Sequence, residues 1–113
     1  MTDQIQTARA IILSLPERYR PEKAPSADYI ATVHFDISGP NGGQYTAEIA
    51  NGQCAVTTGH KGNADCTVTA SDLNYENLEL GRDNPMMSVM MGKVRVSNMA
   101  FMMTFTRLFK RLF

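Results

Sequence analysis

Cysteine is scarce in this sequence, and long apolar runs are absent. Two cysteines, Cys54 and Cys66, among 113 residues are too few for a disulfide scaffold, and neither belongs to a CxxC pair. Asp3 and a short apolar run over residues 10–15 argue against a secretory signal. No uncharged run approaches the roughly 20 residues that span a bilayer. We therefore expect one domain over residues 1–113, located in the cytoplasm, with two buried free thiols.

Motifs of the common enzyme classes are also absent. The sequence has neither a GxSxG elbow nor a GxxxxGK(S/T) loop. His60 and the two cysteines lack the spacing of metal ligands. His34 and Asp36 share one strand face and could form a dyad, although a solvated face is the simpler interpretation. We therefore predict no catalytic residue, no metal site and no cofactor, and a protein that is not an enzyme.

Acidic residues are missing from the C-terminal part of the chain. Residues 1–83 hold 6 basic and 11 acidic residues, whereas residues 84–113 hold five basic residues and no acid. The overall net charge is zero, which gives no reason to expect a nucleic-acid partner. The uneven distribution is typical of a solvated helix face, or of a surface that docks on an anionic membrane or an acidic partner. The candidates for transient membrane docking are Arg107, Lys110 and Arg111.

The N-terminal half predicts one helix followed by strands. Asp3 and Gln6 form a capping-box pattern for a first helix that ends at Pro16. The stretch YIATVHFDI alternates apolar and polar residues, as a half-buried strand does. The dipeptide Asn51-Gly52 suits a two-residue type I′ hairpin. This turn would place Ile49 opposite Cys54, with mostly apolar pairs on one face of the sheet.

The second half predicts one strand, two helices, another strand and a final helix. The strand ADCTVTA is followed by a helix from Ser71 to about Leu80. A short helix over residues 85–91 begins after Asn84, and the strand KVRVS follows it. Asn98 caps the final helix. This order of elements predicts an α+β fold in which helices cover one face of a single sheet.

Seven of the eight methionines fall between Met86 and Met103. The segment PMMSVMM is apolar nearly all round, which predicts a helix that is buried on several sides or touches a nonpolar ligand. A last helix running to Leu112 would leave Met99 and Met103 outside its apolar arc. That arc would contain Phe101, Met102, Phe105, Leu108, Phe109 and Leu112. Methionine suits a wall that adapts to more than one shape, but gap-filling core residues give the same pattern.

Three segments of the sequence are similar to those of a known family. They are LPERYRPEKAPSADYIATVHFDISG, ADCTVTASDLNYENLELGRDNP and MMGKVRVSNMAFMMTFTRLF. From about Leu15 to Phe109 the chain resembles the sterol carrier protein-2 (SCP-2) family. The resemblance implies a five-stranded mixed sheet in the order 3-2-1-4-5, with helices on one face that enclose a hydrophobic tunnel. In that order Cys54 and Cys66 lie about 14 Å apart, which excludes a disulfide.

The resemblance also implies ligands, which in this family are sterols, fatty acids, acyl-CoA and other lipids. We therefore predict non-enzymatic binding or transfer of a lipid, whether a fatty acid, an acyl-CoA, a sterol-like or an isoprenoid lipid. The expected wall residues are Phe35, Val68, Leu78, Met86, Met90, Val94, Val96, Phe101, Met102, Phe105 and Phe109. Two alternatives are a lipid-binding accessory of isoprenoid-quinone biosynthesis, and a protein-interaction or homodimerisation module without a ligand.

Overall fold

A mixed five-stranded sheet forms the centre of the fold. The computed structural model describes residues 7–110 and 112. The strands lie in the order β3-β2-β1-β4-β5, and β1 runs parallel to β4 while the other neighbouring pairs are antiparallel. Their bounds are β1 Ala31–Ser38, β2 Gly43–Ala50, β3 Gln53–Thr58, β4 Cys66–Ser71 and β5 Val94–Val96. The predicted mixed sheet and its strand order are confirmed.

The helices that the structure describes are short. They are α1 Ala8–Leu13, α2 Leu15–Arg18, α3 Asp72–Glu79, α4 Pro85–Met90 and α5 Met99–Thr106, and a 3-10 turn covers Pro21–Lys23. The side chains of Ser71, Asn84 and Asn98 accept hydrogen bonds from backbone N–H groups in the first turns of α3, α4 and α5. The predicted starting points of these three helices are therefore confirmed.

The first helix is shorter than the sequence pattern predicts. Thr7 has an extended backbone and caps α1, accepting a hydrogen bond from a first-turn N–H group. The expected capping box of Asp3 and Gln6 lies outside the described residues. Ser14 ends α1, and Pro16 lies in the first turn of α2 instead of terminating the first helix. Proline is tolerated there because first-turn N–H groups have no partner within the helix.

The β2–β3 hairpin has the predicted turn and register. Ile49 pairs with Cys54 across the two strands. Asn51 and Gly52 have φ angles of 56° and 74°, the positive values that a type I′ turn requires. The apolar face of the hairpin therefore points to the same side of the sheet as the apolar residues of β1.

One face of the sheet is buried beneath the helices. On β1, Val33, Phe35 and Ile37 are buried while the residues between them are partly exposed. Ile11 and Ile12 of α1 pack into the same core. The other strands add Tyr45, Ala47, Ile49, Cys54, Cys66, Val68, Ala70 and Val94. Both cysteines are buried free thiols, as predicted.

The connection from β3 to β4, residues 59–65, crosses the opposite face of the sheet. The His34 ring stacks on the His60 ring with centroids 4.5 Å apart. His34 Nε2 lies 3.0 Å from the carbonyl oxygen of Lys61. Within the described part of the chain, no hydrogen bond joins His34 to Asp36. His34 therefore holds the connection against the sheet instead of pairing with Asp36.

The last helix ends at Thr106, so the expectation of one helix through Leu112 is wrong. Arg107 is its C-cap, and Lys110 belongs to an extended segment. Arg111 lies outside the described residues. The predicted basic helix face of Arg107, Lys110 and Arg111 is therefore not formed, although Arg107 and Lys110 are both exposed.

A short antiparallel bridge replaces the end of that helix. The Arg20 N–H donates to the Leu108 carbonyl over 2.7 Å, and the Lys110 N–H donates to the Arg18 carbonyl over 2.9 Å. Phe109 pairs with Tyr19 between these two bonds. The extended backbone thus finds partners in a segment some 90 positions away in the chain, which a helical wheel cannot anticipate.

Candidate functional site

A cavity of about 680 Å³ lies between the buried face of the sheet and helices α3, α4 and α5. Its floor is apolar, because Phe35 of β1, Val68 of β4, and Val94 and Val96 of β5 point into it. Helix α2 and the C-terminal bridge close one side, and the cavity is partly open to solvent. The arrangement is a concave, largely apolar site of the kind that holds small hydrophobic molecules.

Nine of the eleven predicted wall residues line this cavity. Met90 and Phe101 do not. Met90 is 74% exposed on α4, and Phe101 stacks on Phe105 with ring centroids 6.1 Å apart. The nine are Phe35, Val68, Leu78, Met86, Val94, Val96, Met102, Phe105 and Phe109. That these residues contact a ligand stays a prediction.

Methionines on α5 line the cavity beyond the arc that the helical wheel gave. Met99 and Met103 both contribute to the wall, as does Met102. The helical wheel placed Met99 and Met103 outside the arc because it assumed that a single face of the helix is buried. In the structure α5 ends after two turns, and the cavity extends around more than one of its faces.

Helix α4 is exposed, so of the two predicted alternatives burial on several sides is wrong, while contact with a nonpolar ligand stays a prediction. Ser88 is its buried residue, and more than half of the surface is exposed in each of the methionines Met86, Met87, Met90 and Met91. Two polar contacts hold this six-residue helix. The Asn84 side chain caps its first turn, and the Lys93 N–H donates to the Ser88 carbonyl over 2.9 Å. The methionines are thus left as an apolar rim beside the cavity.

Aromatic rings form one wall of the cavity. Phe105 is 2% exposed, and its ring centroid lies 4.9 Å from that of Phe109. Phe109 in turn packs on Tyr19, with ring centroids 5.6 Å apart. Tilted pairs at these distances are favourable for aromatic rings. The bridge between residues 18–20 and 108–110 therefore positions Phe109 as part of the wall.

Eight polar wall residues were not predicted as such from the sequence. Three of them lie on helices α2 and α3: Arg18, Tyr75 and Glu79. The others are Arg82, Asp83, Asn84, Thr106 and Lys110. Tyr75 and Glu79 stand four positions apart on α3 and share the helix face of Leu78. That spacing relative to Leu78 is the signal that could have identified them. Arg18 reaches the wall from the far N-terminal side of the fold, and no local pattern indicates it. Besides Met99 and Met103, the apolar wall residues that were missed are Leu15, Pro85, Val89 and Leu112.

The polar wall residues have altered acidities. Glu79 is partly buried, and burial raises the pKa of its carboxyl, although the nearby Arg18 guanidinium opposes the shift. Burial also raises the pKa of Tyr75 well above 10, so its hydroxyl keeps its proton. Cys54 does not line the cavity but is also close to Arg18, and burial raises the pKa of its thiol to about 12 against the lowering effect of that guanidinium. These shifts reflect a poorly solvated environment at this side of the cavity.

Metal-binding and membrane-spanning features were sought over the same part of the structure. In residues 7–110 and 112, no three His, Cys, Asp or Glu side chains come together as metal ligands would. Among the helices that the structure describes, none has the length and apolar character needed to span a bilayer.

Comparison of the sequence with protein families gives a match over most of the chain. Residues 14–110 match the SCP-2 sterol transfer family. The chain therefore belongs to the SCP-2 family, whose members bind or transfer lipids. Comparison with curated proteins gives no significant match.

Solved structures with the same fold include free-standing domains and a part of a larger enzyme. The sterol carrier protein domain 2 of Helicoverpa armigera is 24% identical, with a TM-score of 0.58 over 95% of this chain and 89% of that one. The ubiquinone synthesis protein UbiJ-SCP2 is 19% identical, with a TM-score of 0.55 over 89% of this chain and 73% of that one.

The larger enzyme is the inverting sec-alkylsulfatase Pisa1 from Pseudomonas sp. It is 15% identical, with a TM-score of 0.75 over 93% of this chain. This chain spans 16% of the length of that enzyme. At these identities the likenesses show the fold.

Proposed function

We propose that the protein binds the tail of one lipid without covalent chemistry and carries it in the cavity between the sheet and helices α3–α5. The observation that carries the proposal is the apolar cavity of about 680 Å³ in a member of the SCP-2 family. Ligand pockets usually measure about 300–1,000 Å³, so the volume suits a lipid tail. The proposed role is binding and transfer, and the polar side chains on the wall would orient the ligand.

Burial of a lipid tail supplies the binding free energy. A sixteen-carbon chain gains about 12 kcal/mol on transfer from water, at roughly 0.8 kcal/mol per methylene. Loss of translational, rotational and chain freedom removes part of that gain. A dissociation constant on the order of micromolar to nanomolar follows.

An empty cavity of this size is costly for a small protein. At about 24 cal/mol per Å³, a volume of 680 Å³ corresponds to roughly 16 kcal/mol. This is an upper bound because the cavity is partly open and water can enter it. The bound still exceeds the total stability of about 5–15 kcal/mol that small proteins have. A bound lipid should therefore raise the melting temperature markedly.

Native mass spectrometry and lipid extraction of the freshly purified protein test the proposal. We expect a bound lipid, and a delipidated sample that melts higher when a long-chain lipid is restored. At a lipid concentration of 100 Kd the gain is about 2.7 kcal/mol, or roughly 10 °C for a domain of this size.

A pair of edge-strand variants links that gain to the cavity. Val96→Phe replaces an isopropyl group in the cavity wall by a phenyl ring and should abolish the lipid-dependent rise in melting temperature. Val56→Phe is the matched control, because Val56 is a partly buried valine on the other edge strand and does not line the cavity. Lipid-dependent melting that survives Val96→Phe, or that is absent from the wild type, would contradict the proposal.

A second candidate is an accessory role in isoprenoid-quinone biosynthesis. The fold similarity to the ubiquinone synthesis protein UbiJ-SCP2 favours it. In that role the cavity would present an isoprenoid lipid to an enzyme instead of carrying it freely. Affinity purification from cells separates the two roles, since an accessory protein retains lipid-modifying enzymes and a free carrier does not.

A third candidate is a protein-interaction or homodimerisation module. The exposed methionines of α4 favour it, because an apolar rim of this kind is unusual on a surface that contacts only water. Light scattering of the delipidated protein tests this role. A stable dimer that binds no lipid would favour it over a carrier.

The cytoplasmic location of the protein stays a prediction from the sequence.

A further inference from the structure

The cavity wall carries polar groups that a hydrocarbon chain would leave without partners. Tyr75 is 4% exposed, and Glu79 lies four residues further along the same face of α3. Neither the Tyr75 hydroxyl nor the Glu79 carboxylate is hydrogen-bonded to any residue among 7–110 and 112, and both residues line the cavity. Water in the open cavity can serve as their partner, but a hydrocarbon chain that fills the cavity would displace that water and leave both groups buried and unpaired. The natural occupant should therefore present a polar group to this wall.

The third polar residue, Arg18, is held in place by the protein itself. Its Nε donates to Ser14 Oγ over 2.8 Å, and its two Nη atoms donate to the carbonyls of Lys110 and Ile11 over 2.8 and 3.1 Å. Three of its five N–H groups are thus committed to fixed acceptors. Arg18 therefore acts as a stationary positive charge near Glu79, and it opposes the effect of burial on the pKa of that carboxyl.

We propose that Arg18, Tyr75 and Glu79 form a head-group site that selects lipids ending in an uncharged hydroxyl over lipids ending in a carboxylate. The inference rests on the lipid binding proposed above. A hydroxyl can accept a hydrogen bond from Tyr75 and donate one to Glu79, so it satisfies both groups at once. Arg18 supplies one positive charge to this poorly solvated site. A carboxylate head would compete with the Glu79 carboxyl for that charge, so both acids could not be ionised there without an unbalanced negative charge.

The remaining charged groups of the wall lie at the mouth. Arg82 and Lys110 are exposed, and Asp83 lies 3.7 Å from Lys93. Water can hydrate these groups with or without a ligand, so they do not require a polar head group. A lipid tail in the cavity would remove water from Tyr75 and Glu79, so these are the groups that need a polar head group as their partner. The hydroxyl is therefore placed at α3, with the chain running towards the methionines of α5.

Displacement of a neutral fluorescent probe, N-phenyl-1-naphthylamine, from the delipidated protein tests the selection. Dodecanol and dodecanoate carry the same chain and differ in the head group. We expect wild-type protein to bind dodecanol at least about 10-fold more tightly, as one unbalanced buried charge would require. Glu79→Gln removes the charge and keeps a carbonyl acceptor. It should tighten dodecanoate binding about 10-fold and change dodecanol binding by less than about 3-fold.

Two further variants complete the test. Tyr75→Phe should weaken dodecanol binding by about 5-fold through the loss of one hydrogen bond. Glu17→Gln makes the same acid-to-amide change on an exposed residue of α2 that does not line the cavity, and it should leave the preference unchanged.

Two results would overturn the selection. One is wild-type protein that binds dodecanoate as tightly as dodecanol. The other is a Glu79→Gln variant that behaves like Glu17→Gln. Failure of the probe and both lipids to bind wild-type protein would instead refute lipid binding itself, and the head-group site with it.

Discussion

Replacing Phe105 by alanine should cost about 3–5 kcal/mol of unfolding free energy, as truncation of a large core side chain does. The Phe105 ring is 2% exposed and lies between the rings of Phe101 and Phe109 at 6.1 and 4.9 Å. Aromatic pairs of this kind contribute about 0.5–1.5 kcal/mol beyond the burial of their surface. The loss is large beside a total stability of about 5–15 kcal/mol.

Met103→Ala provides the matched comparison on the same helix. Met103 lies two residues before Phe105 and also lines the cavity, but 54% of its surface is exposed. Truncation of such a residue removes little buried surface, and exposed positions usually change stability by about 0.5 kcal/mol or less. We therefore expect the two losses to differ by at least about 2 kcal/mol.

Urea unfolding of delipidated protein measures both losses. With a denaturant slope of about 2 kcal/mol per molar, Phe105→Ala should lower the midpoint by roughly 1.5–2.5 M, and Met103→Ala by less than about 0.5 M. The slope should be the same in both variants. Equal shifts of the two midpoints would show that Phe105 is not the principal core residue of α5, and would refute the packing described above.

Other predictions concern thiols, pH and membranes. Cys54 and Cys66 should react with a thiol reagent at pH 8 many times more slowly in the folded protein than in the urea-unfolded protein. Both thiols are buried, and burial raises the pKa of Cys54 to about 12. Rapid labelling of the folded protein would contradict this prediction. Burial raises the pKa of Glu79 above its ordinary 4.5, so the folded state binds the Glu79 proton more tightly than the unfolded state does. Protonation of Glu79 therefore stabilises the fold fully below pH 4.5, and this stabilisation is lost as the pH rises through the folded pKa. The unfolding free energy of Glu79→Gln minus that of wild type should therefore increase from pH 4 to pH 7. A difference that stays constant over this range would argue against burial of the carboxyl. Arg107 and Lys110 should each contribute about 1 kcal/mol to cosedimentation with anionic vesicles at low salt, and replacing either by Gln should weaken it; equal binding to neutral vesicles would exclude docking by charge.

The strands and helix starts could be predicted from the sequence because each depends on local chemistry. Alternation along β1 places Val33 and Phe35 on the core face whatever surrounds the strand. The turn at Asn51 and Gly52 fixes the register of its hairpin, since both residues accept positive φ. Ser71 caps α3 through its own side chain. None of these features needs a partner from a distant part of the chain.

The polar wall and the C-terminal bridge could not be predicted because each joins distant segments. Residues 107–112 continue an apolar pattern that a helix would satisfy equally well. Residues 107–110 leave the helix because Lys110 and Arg20 find backbone partners in the other segment. Arg18 reaches the cavity through the same pairing. The sequence therefore identified nine of the apolar wall residues and missed the groups that would recognise a head group.

The strand order also decides which part of the protein can form first. Strands β1, β2 and β3 pair with one another as near neighbours in the chain, so this meander can assemble before β4 has been synthesised. The parallel partner of β1 comes later, as Val33 pairs with Cys66, and helices α3–α5 follow it. Most of the cavity wall therefore comes from the part of the chain that is synthesised last. A nascent chain would reach a structured meander first, and a lipid could be enclosed as the final helices pack over it.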